Sequence, residues 1–115
     1  MLFNELQSTL NNISIDATID SIGEIDNKLP LWNFFENIFL NKPDIINILV
    51  YNIEGEPRIK ILTFDGEKVI YKYISSKSTM EYIGTGFKKL KKGGNINYNL
   101  YYKDKFVINM MSYSN

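Results

Sequence analysis

Between Leu31 and Phe39 the apolar residues Leu31, Phe34, Phe35, Ile38 and Phe39 fall at i, i+3, i+4, i+7 and i+8, the spacing of one apolar stripe on a helix. Pro30 suits the first turn of that helix, and Pro43 biases Lys42 away from helical angles, so the helix is expected over 30–40 and to end by Asn41. Upstream, Leu2, Phe3, Leu6 and Leu10 lie near one stripe of a short helix over 3–11. Residues 13–26 fit two periods. Ile13, Ile15, Ala17 and Ile19 alternate as in a strand, whereas Ile15, Thr18, Ile19 and Ile22 make a helical face with Ser14 as its N-cap. The helical reading is preferred here.

After Asp44 the period changes. Ile45 to Ile53 is a near-continuous, β-branched apolar run, as expected of a central strand covered on both faces. Glu54-Gly55-Glu56-Pro57 reads as a turn, with Gly55 free to take positive φ and Pro57 interrupting the ladder. Residues 58–64 form a second strand and 67–75 a third. Asp65-Gly66 between them carries the signal of a two-residue type I′ hairpin, whose central positions both need positive φ. In the third strand Val69, Tyr71 and Tyr73 share one face. Residues 76–80 read as loop, and 81–92 as one weaker strand in which Gly84 and Gly86 mark a bulge or bend. Past Gly93-Gly94-Asn95, residues 96–102 place Ile96, Tyr98, Leu100 and Tyr102 on one face and Asn97, Asn99 and Tyr101 on the other. Phe106 to Ser112 is the last strand. The expected fold is α+β: N-terminal helices packed on one face of an antiparallel meander of about six strands.

Composition narrows the chemistry. At 115 residues the chain falls within the usual range of one domain, about 50 to 200 residues. With no cysteine and no histidine it lacks disulfides, thiolate metal sites, a cysteine nucleophile and the commonest general base near neutral pH. No catalytic, metal or cofactor site is therefore expected. The first residues lack the basic and apolar regions of a secretory signal, and no stretch approaches a membrane span, so a cytoplasmic location is expected, with a mature exported fragment as the alternative. Net charge is zero but unevenly spread: residues 1–57 carry nine acids against Lys28 and Lys42, net −7, and residues 58–115 carry eleven bases against four acids, net +7. Such asymmetry marks either a face for a charged partner or acidic helices packed beside a lysine-rich sheet.

The runs 44–57 and 62–73, with Ile53-Glu54-Gly55-Glu56-Pro57 the most specific part and Phe64-Asp65-Gly66 a hairpin, resemble an uncharacterised domain family of small lipoproteins of Gram-positive bacteria. The resemblance covers roughly residues 31–112. Members of that family typically carry cysteines in the later strands and many are exported, which this chain does not match. The family has no assigned activity, so the resemblance implies a fold and no function.

Three features invite chemistry. Glu54 and Glu56 could bind Ca²⁺, but two carboxylates fall short of its six to eight oxygens and turn formation explains them better. Gly84-Thr85-Gly86 matches no phosphate-binding fingerprint, and a bulged strand explains it better. Lys88, Lys89, Lys91 and Lys92, with Tyr98, Tyr101 and Tyr102 nearby, have the ingredients of a single-strand nucleic-acid patch, or else guard a sheet edge against unwanted pairing. Trp32, Phe34, Phe35 and Phe39 read as core, with Trp32 off the main stripe and partly exposed. Taken together these point to a non-enzymatic protein-interaction module, of inhibitor or immunity-antagonist type, monomeric or weakly dimeric, with no cofactor. Its contacts would be an edge strand or the Asn97, Asn99 and Tyr101 face. The alternative is a binder of nucleic acid or another anionic ligand through the lysine cluster, and a carboxylate-based hydrolase ranks last.

Overall fold

The long apolar run forms β2 (Asp44–Tyr51), and it occupies the position its composition predicts, inside a sheet with a strand on either side. The computed structural model describes residues 5–115. Within them lie helices α1 (Glu5–Asn12) and α2 (Leu29–Phe39) and the strands β1 (Ala17–Ile19), β3 (Pro57–Phe64), β4 (Val69–Ile74), β5 (Thr79–Gly84), β6 (Gly86–Lys92), β7 (Asn95–Tyr102) and β8 (Lys105–Ser114). The architecture is α+β, mostly sheet, but divided into a five-stranded sheet ordered β1-β2-β3-β4-β5 and a three-stranded sheet ordered β6-β7-β8. The expected single meander of about six strands is thus corrected to two sheets and eight strands.

The division happens at Thr85. Residues 81–92 are expected to form one strand with a bulge or bend at Gly84 and Gly86, yet the chain leaves one sheet at Gly84 and enters the other at Gly86. Thr85 is stitched to the β7–β8 turn: its N–H donates to the Tyr101 carbonyl at 2.8 Å, and its hydroxyl accepts from the Lys103 N–H at 2.6 Å. Gly84 makes the crossing possible, because a Cβ there would collide with the Leu100 side chain and lie 2.6 Å from the Tyr101 carbonyl oxygen. Gly86 has open space around it and no such role.

Residues 17–19 are a strand, not the preferred helix. Ala17 and Ile19 are buried, and β1 pairs in parallel with β2, Ala17 opposite Ile48 and Ile19 opposite Val50. Ser14 caps nothing; its carbonyl accepts from the Asn47 side chain, and the Asp16 carboxylate accepts from the Asn47 N–H at 2.8 Å. The edge of β2 takes the segment by backbone pairing, which outweighs a weak helical period. With α2 between them, β1 and β2 form a βαβ unit, the crossover that parallel strands require.

The two helices cover opposite faces of the five-stranded sheet, which corrects the expectation that both lie on one. Leu6 of α1 packs with Ile59 and Ile74 on one face. Residues 3 and 4 of the expected 3–11 helix, with Leu2 before it, lie outside the described residues. On the other face Leu31, Phe34 and Phe35 of α2 join Ile46, Ile48, Leu62, Phe64, Val69 and Tyr71. The second sheet closes that cluster from beyond with Ile96, Tyr98, Leu100, Met110, Met111 and Tyr113. Pro30 stands in the first turn of α2, and Asn41 takes φ 57° just past its end, consistent with the boundaries the prolines set.

Both expected turns exist, with one corrected in detail. At 52–56 the Gly55 N–H donates to the Asn52 carbonyl, Gly55 takes φ 82°, and Pro57 opens β3 opposite Tyr51. The β3–β4 hairpin is not type I′ at Asp65-Gly66. Phe64 pairs with Val69, and Asp65 and Lys68 close a loop in which Gly66 alone has positive φ, 98°. The Asp65 carboxylate accepts from the Glu67 and Lys68 N–H groups at 2.8 and 2.6 Å, which holds its pKa below the usual carboxylate value. That pair of bonds keeps Asp65 at the strand end and moves the tight positions on by one residue.

Candidate functional site

Helix α2 lies across the inner face of the three-stranded sheet, one turn per strand. The Trp32 indole N–H donates to the Tyr113 hydroxyl of β8 at 3.2 Å. Phe35 stacks on Tyr98 of β7, centroids 3.9 Å apart and rings 5° from parallel, and also meets Phe87 of β6 at 4.5 Å. Phe39 reaches Phe87 edge-on at 5.4 Å. The stripe residues Leu31, Phe34 and Phe35 are core, as their spacing predicts. Phe39 is not: it sits in the last turn, beyond the sheet's cover, and is 79% exposed. Trp32, off the stripe, is 50% exposed.

These rings frame a groove of about 570 Å³ between α2 and the β6–β7 hairpin, lined by Trp32, Phe35, Glu36, Phe39, Phe87, Lys89 and Tyr98. Its floor is aromatic, with one acid and one base at its margin. Burial and a hydrogen bond with Tyr113 push the Tyr98 phenol pKa well above its ordinary value, so the floor stays uncharged. Lys89 stands over the Tyr98 ring, 5.8 Å from its centroid. An apolar or aromatic group entering the groove would find ring faces and edges on three sides.

The four candidate lysines lie together on β6 but do not share a face. Side chains alternate along a strand, so Lys89 and Lys91 go with Phe87 toward the groove side, and Lys88 and Lys92 go with Leu90 to the outer side. Lys88 covers Tyr101 at 4.4 Å. Residues 88–92 are all exposed, and among the described residues no carboxylate lies within ion-pair distance of these lysines.

The Asn97, Asn99 and Tyr101 face is not the open polar surface expected. Asn99 is buried and accepts from the Asn109 amide at 2.8 Å; Asn97 accepts from the Ser112 hydroxyl at 2.5 Å. Tyr101 packs edge-on against Phe106 and lies under Lys88. The register shifts between β7 and β8 at Tyr98/Asn99 and Leu100/Tyr101 turn these amides onto β8, where they satisfy one another. At the 52–56 turn, Glu56 exchanges bonds with Asn52 and lies 3.9 Å from Arg58, an arrangement of turn chemistry. Among the described residues no three acids gather in a metal-binding group, and no helix is long and apolar enough to cross a membrane.

Two elements escape sequence reasoning. The groove joins a helix end to a strand almost fifty residues later, and the visible hints were Phe39 at the end of its stripe and Phe87 opening the lysine run. Lys60 is the other. It lies on the inner face of β3, where its ammonium donates to the Met110 carbonyl of β8 at 3.0 Å and sits 5.8 Å from the centre of the Tyr71 ring. Desolvation pulls its pKa down to about 8. No family model matches the chain, and no curated protein or solved structure is detectably similar to it.

Proposed function

We propose that this protein is a non-enzymatic interaction module that binds another protein through the aromatic groove between α2 and the β6–β7 hairpin, in the manner of an inhibitor or immunity-type antagonist. The observation that carries this reading is the pair of exposed rings, Trp32 and Phe39, set on either side of a concave aromatic floor. Tryptophan and tyrosine with apolar neighbours in a partly desolvated depression are what binding hot spots are made of. A chain without histidine or cysteine is also poorly furnished for acid–base or nucleophilic chemistry.

The nucleic-acid reading draws less support. With the lysines divided between two faces, a single strand would meet two of them, giving a log–log salt slope of about −1.4 instead of about −2.8. The chain has one tryptophan, and it lines the groove, so its fluorescence is a direct probe of occupancy. Proteins captured by the parent are expected to be lost by a Trp32→Ala/Phe39→Ser variant whose circular dichroism shows it folded at the assay temperature, and retained by a Lys88→Gln/Lys89→Gln/Lys91→Gln/Lys92→Gln variant at least in part. Tight binding of a single-stranded oligonucleotide, abolished by the quadruple variant and untouched by the aromatic pair, would overturn the reading.

A further inference from the structure

One wall of the groove is β6, and β6 is an end strand: it pairs with β7 from Gly86 opposite Tyr101 to Lys92 opposite Asn95, and among the described residues no strand lies on its other side. We infer that this free edge accepts an extended, acidic segment of a partner protein as a fourth strand, and that one apolar side chain of the segment seats in the groove against Phe39 and Phe87. The inference rests on the interaction reading above and specifies how the partner is held.

Three observations converge on that occupant. An open strand edge offers a row of backbone donors and acceptors that another extended chain can satisfy. A strand laid beside β6 would direct alternate side chains to the face of Phe87 and Lys89, where Phe39, 79% exposed, projects from the last turn of α2. A single apolar residue at that position would cover both rings.

Charge selects the sequence. Lys88, Lys89, Lys91 and Lys92 bracket both faces of the edge, and none has an acidic neighbour within ion-pair distance among the described residues. A second copy of this chain pairing through β6 would bring lysines against lysines, which is destabilising for directly opposed charges. The same lysines that reject self-pairing attract a strand whose residues are acidic on both faces, so exclusion of one partner class and admission of another come from one device. Of the other long end strands, β5 carries Glu81 in place of a lysine run and flanks a cavity of only about 160 Å³, and β8 already gives its Met110 carbonyl to the Lys60 ammonium and its Ser114 N–H to the Gly23 carbonyl. β1 has three residues, with Ile19 bridged to Ile25.

The test selects displayed random dodecapeptides on the full chain and measures the enriched peptide by Trp32 fluorescence. Enriched peptides are expected to carry acidic residues with an aromatic or aliphatic residue at period two. N-methylation of one alternate set of amides should weaken binding about tenfold or more, and methylation of the other set should leave it unchanged, because only one edge of the added strand faces β6. The quadruple lysine-to-glutamine variant, with its circular dichroism and melting temperature checked against the parent, should bind the peptide about tenfold or more weakly. Enrichment of basic or heptad-patterned peptides, equal effects from the two methylation sets, or no enrichment at all would each overturn strand addition. Failure here is distinct from failure of the interaction reading. A helical peptide that shifts Trp32 emission would refute the added strand and keep the groove, whereas a Trp32→Ala/Phe39→Ser variant that captures the same proteins as the parent would refute the groove itself.

Discussion

In the five-stranded sheet Leu62 and Phe64 of β3 look toward α2 while Ile59 and Ile61 look toward α1, so the strand has an apolar cluster on each side. In the three-stranded sheet Phe87 and Tyr98 meet α2, whereas Lys88, Leu90 and Lys92 stand in water. Burial of apolar area on two faces makes the first sheet the store of stability. The second is held by one face and by its stitches at Thr85, which leaves its edge and the rim of its groove unspent. At β6 and the exposed turns of α2, exposed rings and an unpaired strand edge lie side by side.

The largest effect should come from the residue that joins the two regions. Phe35→Ala removes a buried ring stacked on Tyr98 and touching Phe87, and should cost about 3 to 5 kcal/mol in urea denaturation. Phe39→Ala, four residues on, should stay within about 0.5 kcal/mol, being mostly exposed. Comparable losses from both would mean that the groove rim is part of the core.

Next comes Lys60, which ties the sheets through Met110. Its folded pKa is near 8 and its unfolded value near 10.5, so between these the unfolded chain holds more protons and stability should rise with pH. The gain from neutral pH to about pH 10 should be roughly 2 kcal/mol. Above that the trend reverses, because Tyr71 and Tyr98 ionise later in the folded state than in the unfolded one. Denaturation midpoints across this range check it, and Lys60→Met should abolish the rise; a flat profile in the parent would show that the ammonium is not desolvated between the sheets.

Gly84→Ala should destabilise by about 1 to 3 kcal/mol through its clash with Leu100 and the Tyr101 carbonyl, and Gly86→Ala should be near neutral. Thermal melts of the two variants distinguish a crossing that depends on close approach from one that depends on flexibility. The smallest contrast is at the β3–β4 hairpin. Gly66→Val should cost about 1 to 2 kcal/mol by forcing a β-branched residue to positive φ. Asp65→Asn should cost less, since an amide oxygen still accepts from the Glu67 and Lys68 N–H groups.

What was legible in the sequence was local. Helix α2, strands β2 to β4 and β7, and the turns at Gly55 and Gly66 follow from spacing and turn residues that act within a few positions. What was not legible depends on distant partners. Ala17-Thr18-Ile19 is too short for its period to decide anything, and it becomes a strand because β2 has an edge to fill. In residues 81–92 Gly84 and Gly86 signal a bulge or bend but not a change of sheet, which only the contact between Gly84 and Leu100 reveals. The lysine run was visible as a run, but its division between two faces needed the strand, and the groove needed Phe39 and Phe87 to meet across the fold. Asn99 read as exposed because the register shift that buries it is written in β8.

The Trp32–Tyr113 hydrogen bond spans 81 residues of chain, whereas the hairpins of the five-stranded sheet close over a handful. Closing so long a loop carries a larger entropic cost than closing a hairpin. The aromatic floor, made by Phe35 of one region against Phe87 and Tyr98 of the other, is complete only when α2 and the second sheet have met. A partner that reads this surface reads, in the same act, whether the molecule has finished folding.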